Sequence, residues 1–109
     1  MTELTALEAI VLAALADRPR YGYELVERIA ELTNGRKRVR PGNLYRVLER
    51  LEARGLAEET RSALEEGEDE RRRYFRATPA GVRAAESELA MYSGVLRRAG
   101  GLRERPADG

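Results

Sequence analysis

The chain has 109 residues, room for one domain with a modest core, and 36% of them are charged although the formal net charge is only +1. It contains no cysteine and no histidine, which excludes disulfides, thiolate nucleophiles, imidazole bases and Cys/His zinc sites. Ala, Leu, Arg and Glu dominate, so a mostly helical fold is expected.

No apolar run reaches the length of a membrane span, and the stretch from Met1 to Ala16 lacks the basic start of a secretory signal. The expectation is a soluble cytoplasmic protein that does not engage membranes. Lys37 is the only lysine among many arginines, which reads as coding bias.

The first predicted helix opens at Thr5-Ala6-Leu7-Glu8, a capping box in which Thr and Glu satisfy each other's end of the first turn. Leu7, Ile10, Val11, Ala14 and Leu15 recur at helical spacing, and Pro19 should stop the helix near Asp17. A second helix is predicted over Tyr21 to Thr33, with Leu25, Val26, Ile29 and Leu32 inward and Asn34-Gly35 as a left-handed end. The third follows Pro41, a residue suited to the first helical position. Its apolar face is Leu44, Val47, Leu48 and Leu51. With Arg54 as C-cap, Gly55 and Leu56 complete a Schellman motif, Leu56 folding back on Leu51.

After Leu56 the period changes. Ala57 to Arg61 and Arg72 to Ala77 read as two strands joined by the polar loop Ser62 to Asp69. Phe75 and Ala77 are assigned inward, Arg72, Tyr74 and Arg76 outward. Thr78-Pro79 starts a fourth helix as N-cap and first position. Val82, Ala85, Leu89, Tyr92, Leu96 and Ala99 then form a seam at spacings of three and four. Gly100-Gly101 ends it, and a polar, disordered tail is expected beyond.

Three helices, a hairpin and a long helix make a mainly α fold with a small β-hairpin: a winged helix-turn-helix plus a C-terminal dimerisation helix. The expected division is residues 1–78 for the DNA-binding domain, 79–99 for the dimerisation helix and 100–109 for the tail. One folded body is too small to cover the whole seam, so a homodimer is expected, with Val82, Ala85, Leu89, Tyr92 and Leu96 at its interface.

Charge then points to the partner. Between Asn34 and Arg54 stand Arg36, Lys37, Arg38, Arg40, Arg46, Arg50 and Arg54 against only Glu49 and Glu52. That local excess would attract a phosphate polyanion, and the unpaired N–H groups opening the third helix add to it. Away from the leucines the helix presents Asn43, Tyr45, Arg46, Glu49 and Arg50. Asn pairs with adenine and Arg with guanine, so Asn43, Arg46 and Arg50 are candidate base readers. Arg36, Lys37, Arg38, Arg40 and the Tyr45 hydroxyl are candidate phosphate contacts. An arbitrary helix could carry the same residues as a solvated face with internal salt bridges; the neighbouring cations, the helix position and the hairpin favour DNA. On the hairpin, Arg71, Arg72 and Arg73 are further phosphate candidates. The acidic run Glu65 to Glu70 would be repelled from DNA.

Tyr21-Gly22-Tyr23-Glu24-Leu25, Pro41-Gly42-Asn43-Leu44-Tyr45, Gly55-Leu56 and Arg71-Arg72-Arg73-Tyr74-Phe75-Arg76-Ala77-Thr78-Pro79-Ala80-Gly81 together resemble the PadR-type transcriptional regulators. The resemblance runs from about Leu4 to Leu96 and fits the short subclass with one terminal helix. It implies a homodimeric winged-helix repressor that binds double-stranded DNA at an inverted repeat and responds to small apolar or aromatic effectors. Met91 and Tyr92 are the candidate effector contacts. Arg40 departs from the pattern: a small hydroxyl residue usually precedes the Pro-Gly pair as helix cap, and an arginine there favours phosphate contact instead. No cofactor and no metal are implied.

Two other functions compete. A winged helix can serve purely as a protein–protein interaction module, which an acidic loop and a heptad-like helix would also suit. An enzyme is disfavoured, because no Gly-rich phosphate loop or catalytic carboxylate pair accompanies the missing His and Cys.

Overall fold

A computed structural model describes residues 3–60 and 72–100. The expectations for the acidic loop, for Arg71 and for the tail after Gly100 lie outside these residues. Helix α1 (Ala6–Ala14) begins with the predicted capping box: the Thr5 N–H donates to Glu8 at 2.8 Å, and the Glu8 N–H donates to the Thr5 hydroxyl at 3.1 Å. It ends earlier than predicted, at C-cap Leu15.

The segment after α1 is the main departure. Arg20–Tyr21 forms a short strand, β1, antiparallel to the second wing strand. With β2 (Ala57–Thr60) and β3 (Tyr74–Ala77) it makes a three-stranded sheet ordered β1-β3-β2, where the sequence predicts a two-stranded hairpin. Tyr74, on the face opposite Phe75, is therefore covered rather than exposed. It is 5% exposed, paired with Tyr21 across the strands, the two rings edge-to-face at 5.4 Å. Arg20 is buried, donating to the Ala14 carbonyl and to Asp17 at 2.6 Å, so it ties β1 to the end of α1. That ion pair holds the Asp17 carboxyl below its usual pKa.

Helix α2 (Gly22–Leu32) buries Leu25, Ile29 and Ala30, but Leu32 is exposed rather than inward. Asn34 and Gly35 both take positive φ, and the Gly35 N–H donates to the Ala30 carbonyl at 2.7 Å, the predicted left-handed end. Helix α3 (Pro41–Ala53) buries Leu44, Val47, Leu48 and Leu51 as expected. Its Schellman closure is complete: the Leu56 N–H reaches the Leu51 carbonyl at 2.9 Å and the Gly55 N–H reaches Glu52 at 3.0 Å.

Helix α4 (Pro79–Arg98) is capped by the Thr78 hydroxyl, which accepts from the Gly81 N–H at 3.0 Å and donates to the Gly55 carbonyl at 2.7 Å. A side chain at Gly81 would collide with the Leu56 carbonyl, so α4 leaves the sheet in contact with the end of α3. It then packs chiefly along α1. Among the described residues no helix is long and apolar enough to cross a membrane.

Candidate nucleic-acid interface

The loop from Arg36 to Arg40 is held by one residue that pattern reading missed. Val39 is buried in the core, while Arg36, Lys37, Arg38 and Arg40 are exposed around it. A single inward valine thus turns its cationic neighbours to solvent. Arg40 is the N-cap of α3 and provides no side-chain cap, leaving the N–H groups of Gly42 and Asn43 open. Asn43 and Arg46 are exposed on the same turns. None of Arg36, Lys37, Arg38, Arg40 or Arg46 is ion-paired among the described residues. Five cations with no ion pair among the described residues therefore stand in the loop before α3 and on its first turns, at a helix N-terminus whose own partial charge is positive.

Arg50 has a partner on α1. Its Nε donates to Glu8 Oε2 at 3.3 Å, and Arg54 Nη1 reaches Glu8 Oε1 at 3.4 Å. Both arginines serve a buried carboxylate on α1, while the Arg50 side chain stays 53% exposed one turn beyond Arg46 on the same stripe of the helix. Burial would raise the Glu8 pKa; the Thr5 N–H, Arg50 and Arg54 more than offset it and hold the carboxyl below its usual value.

Tyr45 is half-buried, its ring 6.0 Å from Phe75 and its hydroxyl against Gly22, where an added Cβ would come within 2.8 Å of it. It fills the junction of α2, α3 and the sheet instead of extending freely towards phosphate. Arg73 is bound there too. It pairs with Glu59 at 2.9 Å and lies 5.3 Å over the Tyr45 ring and 5.2 Å over Phe75. Glu59 engages its Nε and Nη2, and the side chain remains 48% exposed, so Arg73 is braced against the wing without its guanidinium being used up. Arg76 is likewise matched to Glu58, at 2.6 Å. Arg72 is exposed and stacks 4.4 Å over Tyr21.

The α4 seam divides in two. Ala85 is 3% exposed in the chain's own core, so it is not open to a partner as predicted, and Val82 is half-buried against the same core. Beyond them Leu89, Tyr92 and Leu96 are 38%, 43% and 55% exposed, with Val95 beside them. Met91 lines an open cavity of about 690 Å³ with Glu3, Leu4, Thr5, Glu8, Arg54, Ser87 and Glu88; Tyr92 is not part of its lining. Among the described residues no acidic cluster is placed to hold a metal.

The model of the "Transcriptional regulator PadR-like family" matches residues 11–87 of this chain. The chain belongs to that family. The match spans the helix-turn-helix, the wing strands and the first half of α4, the elements that carry the arrangement just described. PadR-like proteins are regulators that bind DNA rather than enzymes. An uncharacterised protein of Lysinibacillus sphaericus is 34% identical over 83 residues, covering 76% of this chain and 73% of that one. An uncharacterised 37.1 kDa protein in a transposon of Streptomyces fradiae is 41% identical over 81 residues; the match covers 74% of this chain but only 21% of that longer protein. Among solved structures, a PadR-like transcriptional regulator from Bacillus cereus superposes with a TM-score of 0.74 at 25% identity, covering 92% of this chain and 93% of the other. A transcriptional regulator from Clostridium thermocellum gives 0.71 at 22% identity, covering 94% and 100%, a likeness of fold.

Proposed function

We propose that this PadR-like chain is a sequence-specific DNA-binding repressor that acts as a homodimer on an inverted repeat in the cytoplasm. One observation carries the reading: the cations Arg36, Lys37, Arg38, Arg40 and Arg46, exposed and without an ion pair among the described residues, in the loop before α3 and on its first turns, where the N-cap Arg40 makes no side-chain cap. In this reading Asn43 and Arg46 enter the major groove and read bases. The loop cations, with Arg72 from the wing, hold phosphates. The exposed half of α4, Leu89 to Leu96, joins two copies. Repression and response to an effector are part of this proposal, as the resemblance to the family implies; the cavity beside Met91 is where an effector would meet both α1 and α4.

Selection of bound sequences from a random duplex pool tests the proposal. The expected product is an inverted repeat whose half-sites lie about one helical turn apart, 10–10.5 base pairs. A pool that remains unenriched, or yields a single asymmetric site, would refute the dimeric reader.

A further inference from the structure

Glu8 carries more partners than a helix cap requires. In a capping box the glutamate needs only to reach the N-cap N–H, and it can do so in solvent. Here the residue is 4% exposed and three groups converge on its carboxylate: the Thr5 N–H, Arg50 Nε and Arg54 Nη1. Arg54 also donates through Nη2 to the Glu3 carbonyl. Burying a carboxylate is costly unless it is paired and hydrogen-bonded, so removing either side of the pairing loosens the contact. Arg50 and Arg54 stand one turn apart at the C-terminal end of α3. Glu8 stands in the first turn of α1, the helix that packs along α4. The carboxylate thus ties the far end of the recognition helix to the frame formed by α1 and α4, while Asn43 and Arg46 lie toward the opposite, N-terminal end, which Leu44 anchors in the core.

We infer that Glu8 is a positioning residue that sets the tilt of α3 against the α1–α4 frame and so determines which half-site spacing the dimer accepts. The inference rests on the reading of this chain as a dimeric DNA binder. The lever is long enough to matter. Thirteen residues of helix span about 20 Å at about 1.5 Å per residue. A tilt of about 10° about the clamped end carries the other end through about 3.4 Å, the rise of one base pair. Glu8 itself stands on α1, off the recognition helix, so its loss is expected to change spacing more than base preference.

The test uses the full chain and its Glu8→Gln variant, which keeps an oxygen for the Thr5 N–H but removes the charge that holds both arginines. Binding is measured on inverted repeats whose central spacer is lengthened or shortened by one base pair, and on repeats with substituted half-site bases. The wild type is expected to lose affinity about tenfold when the spacing is wrong, and the variant less than about threefold. The cost of each half-site substitution, and the sedimenting mass, should match in the two proteins. A variant that keeps the wild-type spacer profile overturns the inference. So does one that loses spacing and base preference together, since that is general loss of structure. Should Glu8→Gln fail to fold, Arg54→Gln opens the clamp from its more exposed side and is read by the same criteria. A wild type that binds no inverted repeat overturns the dimeric reading itself, and this inference with it.

Discussion

Arg46→Ala is expected to cost about 1–3 kcal/mol on the preferred duplex and to flatten the base preference at one position of each half-site. Arg38→Ala should behave differently. It should weaken specific and scrambled duplexes about equally and lower the slope of log affinity against log salt by roughly 1. The difference follows from position: Arg46 is exposed on the helix itself, whereas Arg38 lies in the loop anchored by Val39. Phosphate contacts position a protein and base contacts give it sequence. Titration of both variants against both duplexes across a salt series separates the two roles. If both bind as the wild type does at every salt concentration, the charge at this helix entrance does not serve DNA, and the interaction-module reading takes over.

Leu89→Glu combined with Leu96→Glu should yield a folded monomer. Both side chains are well exposed in the single chain, so the substitutions spare its core, while Ala85 and Val82 keep the first half of α4 in place. In a dimer, by contrast, two carboxylates per copy would have to be desolvated without partners. Losing the second half-site should reduce affinity for an inverted repeat by about 10²–10⁴. Sedimentation and thermal melting check the two halves of the expectation. A wild type that already sediments as a monomer at micromolar concentration would defeat it.

Features fixed by local chemistry could be read directly from the sequence. The Thr5–Glu8 box, the Asn34-Gly35 end, the Gly55-Leu56 closure and the Thr78-Pro79 start each involve residues a few positions apart, and each forms as expected. Features that depend on distant partners could not. Strand β1 is two residues long, too short to show alternation, and exists because β3 returns beside it. Missing it left Tyr74, on the face opposite Phe75, without the cover that Tyr21 gives it. The cations of the candidate interface were visible as residue types, but type alone cannot separate a free arginine from a paired one. Arg50 is paired with a glutamate 42 positions away and Arg73 with one 14 positions away, while Arg38 and Arg46 are not paired among the described residues. A parity reading around Val39, apolar between two arginines, could have identified the loop's anchor. The division of the α4 seam could not have been found this way, since Ala85 and Leu89 share one stripe and differ only in what lies opposite.

The proposed function places the N-terminal end of α3 in the major groove. Methylation of guanine N7, an atom exposed in that groove, measures it directly on the duplex recovered by selection. The expected result is two clusters of protected guanines on one face of the DNA, about one turn apart, with protection at the Arg46 position lost in Arg46→Ala. Tight binding that leaves every guanine N7 as reactive as in free DNA would contradict it.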